Sequence, residues 1–193
     1  MDPIEEFRAL FAQAQAVDCA RLSDPTAMSL ATVSADGAPA VRIVLLKGVD
    51  ERGFVFYTNL RSRKGRELAA VPRAALCFYW AALDVQIRIE GDVESVSDEE
   101  ADAYFASRAR ESQIGAWASS QSEPLDSMEH LRERVADVEA RFANQPVPRP
   151  PHWSGRRVRP RRIEFWHAGA FRLHERRVFE RDGDHWTMRL LFP

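Results

Sequence analysis

Apolar residues recur along this chain at two periods, and its elements lie between the points where one period gives way to the other. At the start, Ile4, Phe7, Leu10, Phe11, Ala14 and Val17 fall on one helical face, because residues three and four apart stack on the same side. Asp2 offers an N-cap and Pro3 a first-turn residue that needs no N–H donor. This predicts an amphipathic helical segment within residues 1–24. From Ala27 the period shortens. Ala27 to Val33, Pro39 to Lys47, Phe54 to Asn59, Ala74 to Trp80 and Val85 to Val93 are rich in β-branched and aromatic residues and read as strands. Turn formers separate the first three at Ser34-Ala35-Asp36-Gly37 and Asp50-Glu51-Arg52-Gly53. The runs Arg42 to Lys47 and Phe54 to Asn59 therefore read as the two arms of one hairpin.

Helical spacing returns in the middle of the chain. Ser62 to Val71 reads as a short helix stopped by Pro72. Ser97 with Glu100 is a capping box opening a helix to about Ala109, Ser112 to Ala118 is a second piece, and Asp126 with Glu129 caps a third. In that third helix Leu131, Val135, Val138 and Phe142 form the stripe expected to be buried. Pro146, Pro148, Pro150 and Pro151 make residues 144–160 a stiff, extended connector. Ile163 to Trp166, Phe171 to Glu180 and His185 to Leu191 close the chain as strands, the last two joined at Asp182-Gly183-Asp184. The early strands follow one another without helical crossovers, which disfavours a doubly wound sheet. A mainly β, antiparallel closed sheet with peripheral helices is expected, in one domain over residues 1–193.

Composition narrows the chemistry. A net charge of −2 argues against a general nucleic-acid binder. No apolar run approaches the roughly 20 residues of a membrane span, and the first residues are acidic, so a cytoplasmic protein is expected. Cys19 and Cys77 lie outside any metal-ligand spacing and read as reduced thiols. No metal site is expected, and the glycine-rich nucleotide loops and the nucleophile elbow are missing. The charge is uneven, however. Ten arginines stand against three acids between Arg149 and Arg181, and of 27 Lys plus Arg only Lys47 and Lys64 are lysines. Arg42, Lys47, Arg63 and Lys64 lie at strand ends or at a helix start, where cations and free N–H groups converge on phosphate. Thr58 and Ser62 add hydroxyls. The residues alone reach as far as an anion site.

Several separated motifs stand in order along the chain: Arg42-Ile43-Val44-Leu45-Leu46-Lys47, Phe56-Tyr57-Thr58-Asn59, Ser62-Arg63-Lys64 and Gln86. Tyr104-Phe105-Ala106-Ser107-Arg108, Ser112-Gln113-Ile114-Gly115-Ala116-Trp117, Gln121-Ser122, Glu164-Phe165-Trp166 and Arg172-Leu173-His174-Glu175-Arg176 follow. In these motifs the chain resembles the pyridoxamine 5'-phosphate oxidases. The resemblance implies a Greek-key FMN-binding split barrel, a homodimer with flavin sites at its interface, and oxygen as electron acceptor. It implies that Arg42, Ile43, Val44, Leu45, Leu46, Lys47, Tyr57, Thr58, Arg63 and Lys64 hold FMN, with Gln86, Gln121, Ser122, Trp166 and Arg176 completing the pocket. It further implies that Lys47, Tyr104, Arg108 and Ser112 bind the 5'-phosphate of pyridoxine or pyridoxamine phosphate. Arg172, Leu173 and His174 would meet the pyridine ring, with Arg172 and His174 as the catalytic pair.

The spacing agrees in two places. Tyr104 and Arg108 are four apart and would share a helix face. Arg172 and His174 alternate and would share a strand face. Departures from the family pattern stand at Val85, Ser154, His167, Glu175 and Leu190. Two other readings compete: a related flavin oxidase of another planar ring, of phenazine-precursor type, and a non-catalytic flavin or pyridoxal phosphate carrier.

Overall fold

The structure, a computed structural model, describes residues 2–193. Nine strands form one curled antiparallel sheet in the order β2-β1-β5-β6-β7-β4-β3, with β8 on β7 and β9 on β8. They are β1 (Ala27–Val33), β2 (Pro39–Leu45), β3 (Gly48–Asp50), β4 (Gly53–Asn59), β5 (Arg73–Trp80), β6 (Val85–Ser95), β7 (Trp153–His167), β8 (Glu175–Asp182) and β9 (His185–Leu190). Five helices lie around them: α1 (Pro3–Ala16), α2 (Arg63–Ala70), α3 (Asp98–Ala106), α4 (Arg110–Ala118) and α5 (Met128–Arg141). This is the expected mainly β architecture. Among the described residues no helix is long and apolar enough to cross a membrane.

The helix α1 plugs the curl. Asp2 caps it through a 2.8 Å bond from the Ile4 N–H, and Phe7 is completely buried, with Phe54, Phe78 and Trp80 at 4.8, 5.1 and 5.9 Å between ring centres. Met28, Leu30, Leu76, Ile87, Ile89, Ile163 and Phe165 continue this core from the inner face of the sheet. Alternation along each strand then leaves the outer face to Val41, Ile43, Leu45 and Tyr79, all exposed.

Four expectations about the chain path are corrected. Arg42 to Lys47 is not an arm of a hairpin with Phe54 to Asn59. β2 ends at Leu45 and pairs along its length with β1, from Ala27↔Leu45 to Val33↔Pro39. The turn at Asp50 to Gly53 does make a hairpin, but its first arm is the short β3. Second, the connector of residues 144–160 stops at Pro151. From Trp153 the chain is strand, paired with β4 over Trp153 to Val158 and with β8 over Arg162 to His167, while β6 covers its other edge. β7 is where the sheet splits. Pro160 is tolerated because the register slips between Glu90 and Gly91, leaving Arg161 unpaired with β6. Third, the strand expected from Phe171 begins only at Glu175. Fourth, α5 is capped by Ser127, not Asp126, and its stripe is half-buried except for Phe142, because α5 packs chiefly on α4 at the rim.

Candidate active site

The end of β4 and the start of α2 build one wall of a cavity. Asn59 accepts the Arg61 N–H at 2.8 Å, and the Ser62 hydroxyl donates to the Asn59 carbonyl at 2.6 Å while capping α2 through Gly65. A Cβ on Gly65 would lie 2.2 Å from the Leu60 carbonyl oxygen, so glycine alone lets the turn close this tightly. The turn brings Lys64 back over β4. Its ammonium donates to Gln121 Oε1 at 2.8 Å, Thr58 Oγ1 at 3.1 Å and Ser62 Oγ at 3.2 Å, all neutral oxygens. Burial and then the Arg42 charge push it down to about 8, against the pull of Glu67. A half-buried cation with only neutral partners is stabilised by any anion that enters.

An aromatic stack forms the opposite wall. Tyr57, Tyr104 and Trp153 pack mutually, with centres 4.0 Å apart for Tyr57 and Tyr104, 5.2 Å for Tyr57 and Trp153 and 6.1 Å for Tyr104 and Trp153, and with the rings within 16° of parallel. The Arg108 guanidinium sits 4.7 Å above the Trp153 ring. Its Nη1 is buried and has no partner. Burial lowers the Arg108 pKa and raises that of Tyr104, and it pushes Tyr57 up to about 12 with help from Glu100. Tyr104 and Arg108 do not share a helix, since α3 ends at Ala106. The carbonyls of Phe105, Ala106 and Arg108 are instead bound by the buried side-chain amide of Gln113. That amide fixes the α3–α4 turn and with it Arg108.

The cavity between the walls has a volume of about 500 Å³. Of the residues singled out in the sequence, Ile43, Val44, Leu45, Lys47, Tyr57, Thr58, Lys64, Tyr104, Arg108, Ser112 and Gln121 line it. Sequence reasoning missed Trp153, Asn59, Ser119, Gly115 and Ala116 as lining residues. Asn59, Gly115 and Ala116 stand inside the motifs quoted from the sequence and could have been named; Trp153 and Ser119 carry no such signal.

The remaining residues do not line this cavity. Leu46 is in the core. Arg42 and Arg63 turn to the buried Glu67, at 3.1 and 2.8 Å. Ser122 occupies an exposed loop with φ +73°. Gln86, Trp166 and Arg176 are register neighbours across β6, β7 and β8 and do not line the cavity. Nor do Arg172, Leu173 and His174 line it. Arg172 and His174 do not alternate on a strand, because residues 170–172 form a tight 3-10 turn with Phe171 and Arg172 at φ +56° and +64°. His174 packs on Trp166, 4.6 Å between ring centres, and its Nδ1 accepts the Gly169 N–H at 3.2 Å. Arg176 is held by Glu164 at 2.8 Å. One chain thus carries two separate clusters.

The family model for pyridoxamine 5'-phosphate oxidase matches residues 14–142, and that for the pyridoxine 5'-phosphate oxidase C-terminal dimerisation region matches residues 153–193. The chain belongs to the pyridoxamine 5'-phosphate oxidase family. It is 60% identical over 192 residues to a pyridoxine/pyridoxamine 5'-phosphate oxidase of Myxococcus xanthus, covering all of this chain and 92% of that protein. It is 57% identical to the oxidase of the same name from Sphingopyxis alaskensis, covering 100% of this chain and 88% of that one. Among solved structures, PhzG from Burkholderia lata, in complex with tetrahydrophenazine-1-carboxylic acid, superposes with a TM-score of 0.92 at 35% identity, covering 100% and 93% of the chains. PhzG thus shares the sheet described above.

Proposed function

We propose that this chain is the FMN-dependent oxidase that converts pyridoxine or pyridoxamine 5'-phosphate to pyridoxal 5'-phosphate in vitamin B6 metabolism. The observation that carries this reading is the presence of two cation sets in one cavity. Lys64 stands on the β4–α2 turn, and Arg108, with an unpartnered buried nitrogen, stands on the α3–α4 turn. A cavity of about 500 Å³ lies within the ordinary range for cofactor sites. FMN and the substrate each bring one phosphate, and the two cation sets match that demand.

When bound, FMN supplies the acceptor for the hydride equivalent leaving the substrate C4' carbon and passes the electrons to oxygen. The residues of the chain hold and orient. Lys64, Thr58 and Gln121, with Arg42 and Arg63, take the cofactor phosphate. Lys47, Arg108, Tyr104 and Ser112 take the substrate phosphate through charge-assisted bonds. Since Nδ1 of His174 accepts the Gly169 N–H, the neutral ring carries its proton on Nε2 and presents a donor to the substrate.

The second cluster reaches the cavity only from another copy of the chain. Val41, Ile43, Tyr79, Leu173 and Leu190 are each more than 60% exposed, a large apolar area for a monomer. Residues 153–193 match a dimerisation region. A homodimer in which Gln86, Trp166, Arg172, His174 and Arg176 of one copy close the cavity of the other satisfies both facts. Pyridoxine 5'-phosphate added without oxygen to the flavin-loaded protein should bleach its absorbance. The likeness to PhzG sustains the phenazine-type reading, and a flavin that bleaches only with a planar ring carboxylate would favour it. A flavin that no substrate bleaches would favour the carrier.

A further inference from the structure

Glu67 is the one carboxylate of α2, and it is 6% exposed. Its two oxygens are divided between two arginines from different elements. Oε1 accepts from Arg63 Nε at 2.8 Å, and Oε2 accepts from Arg42 Nη2 at 3.1 Å and from the buried Thr32 hydroxyl. Arg42 is anchored further by the Leu30 carbonyl at 3.2 Å. Arg63 meets Glu67 only through Nε and is 60% exposed, which leaves its Nη groups to a ligand. The charges of Arg42 and Glu67 both act on Lys64 in the cavity wall.

We infer that Glu67 is a positioning residue for the cofactor phosphate: it holds Arg42 and Arg63 in place, beside Lys64, before FMN arrives. The inference rests on the reading of this cavity as the FMN site. Two effects of Glu67 oppose each other. Its negative charge weakens the attraction of the site for a phosphate dianion. Its bonds hold two side chains that would otherwise repel one another and lose rotamer freedom when ordered by the ligand. Glu67 brings one negative charge against the two positive charges that it holds, so the site stays cationic and the first effect is the smaller. Burial raises the Glu67 carboxyl, but the bonds from Thr32, Arg63 and Arg42 outweigh it and hold the group below the usual carboxylate range, charged at neutral pH.

The test compares FMN with riboflavin, which lacks the phosphate, by quenching of flavin fluorescence on titration into the flavin-free protein. Glu67→Gln should weaken FMN on the order of ten- to a hundredfold, the value of one or two charge-assisted bonds. Riboflavin should change by less than about threefold, because it makes no use of the arginines. Equal or tighter FMN binding would show that Glu67 merely competes for charge, and an equal loss of both flavins would show a role in folding alone; either overturns the inference. Should Glu67→Gln fail to fold, Glu67→Asp decides. It keeps the charge but is too short to span both arginines, and a phosphate-selective loss is again required. Failure of the unmodified protein to bind FMN would instead overturn the cofactor reading itself.

Discussion

Lys64 and Gln121 are joined by a 2.8 Å hydrogen bond across 57 positions of sequence. The bond ties the start of α2 to the loop after α4, so two segments far apart in sequence line the cavity as one unit. Gln121→Leu should cut this tie and weaken FMN retention by about tenfold, the loss of one bond to a charged group. Gel filtration followed by flavin absorbance checks it. Full retention of FMN would place the phosphate away from Lys64.

Lys64 also makes a prediction about protons. Its pKa stands at about 8 in the free protein, and an arriving phosphate raises it. Near pH 8, therefore, FMN binding takes up protons, and affinity falls as pH rises through that value. Calorimetric titration in two buffers of different ionisation enthalpy measures the uptake directly. Lys64→Met should abolish it.

Trp153 supports Arg108 through the face of its ring. Trp153→Leu should raise KM for pyridoxine 5'-phosphate by about tenfold, a cation–π contact being worth about 1–2 kcal/mol when desolvated. FMN should remain bound, and Trp153→Phe should restore part of the loss. Steady-state kinetics on flavin-loaded protein separates these outcomes.

Gly169 shapes the turn that carries Arg172 and His174. A Cβ there would lie 2.0 Å from the Leu173 carbonyl oxygen, so Gly169→Ala should displace both side chains. We expect kcat to fall by at least about tenfold with FMN still bound, since groups that orient the reacting carbon act in the transition state. A normal kcat would remove these residues from the chemistry.

The interface reading predicts complementation. Arg108→Ala and His174→Ala are each expected to be inactive as homodimers. Mixed and allowed to exchange subunits, they should recover about a quarter of the native sites, because half the dimers are then mixed and each holds one intact site. No recovery, with exchange shown by mass, would mean that the two clusters serve a site within one chain.

Sequence by itself determined most of the elements, the phosphate-seeking cations and the family. Asp2-Pro3, Ser62 and Ser97 mark helix starts because capping is a matter of a few adjacent atoms, and alternation marks strands because the pleat has a period of two. Only the tertiary structure decided which strands meet. β4 took β7 as its second neighbour, and β7 ran on through Pro160 beside β6, because those choices depend on hydrogen-bond partners far away in the sequence. It also decided that Arg42 and Arg63 converge on Glu67, and that Arg172 sits in a left-handed turn with His174 just after it, neither on a strand. Such arrangements arise from long-range burial and charge pairing, which local propensity does not encode.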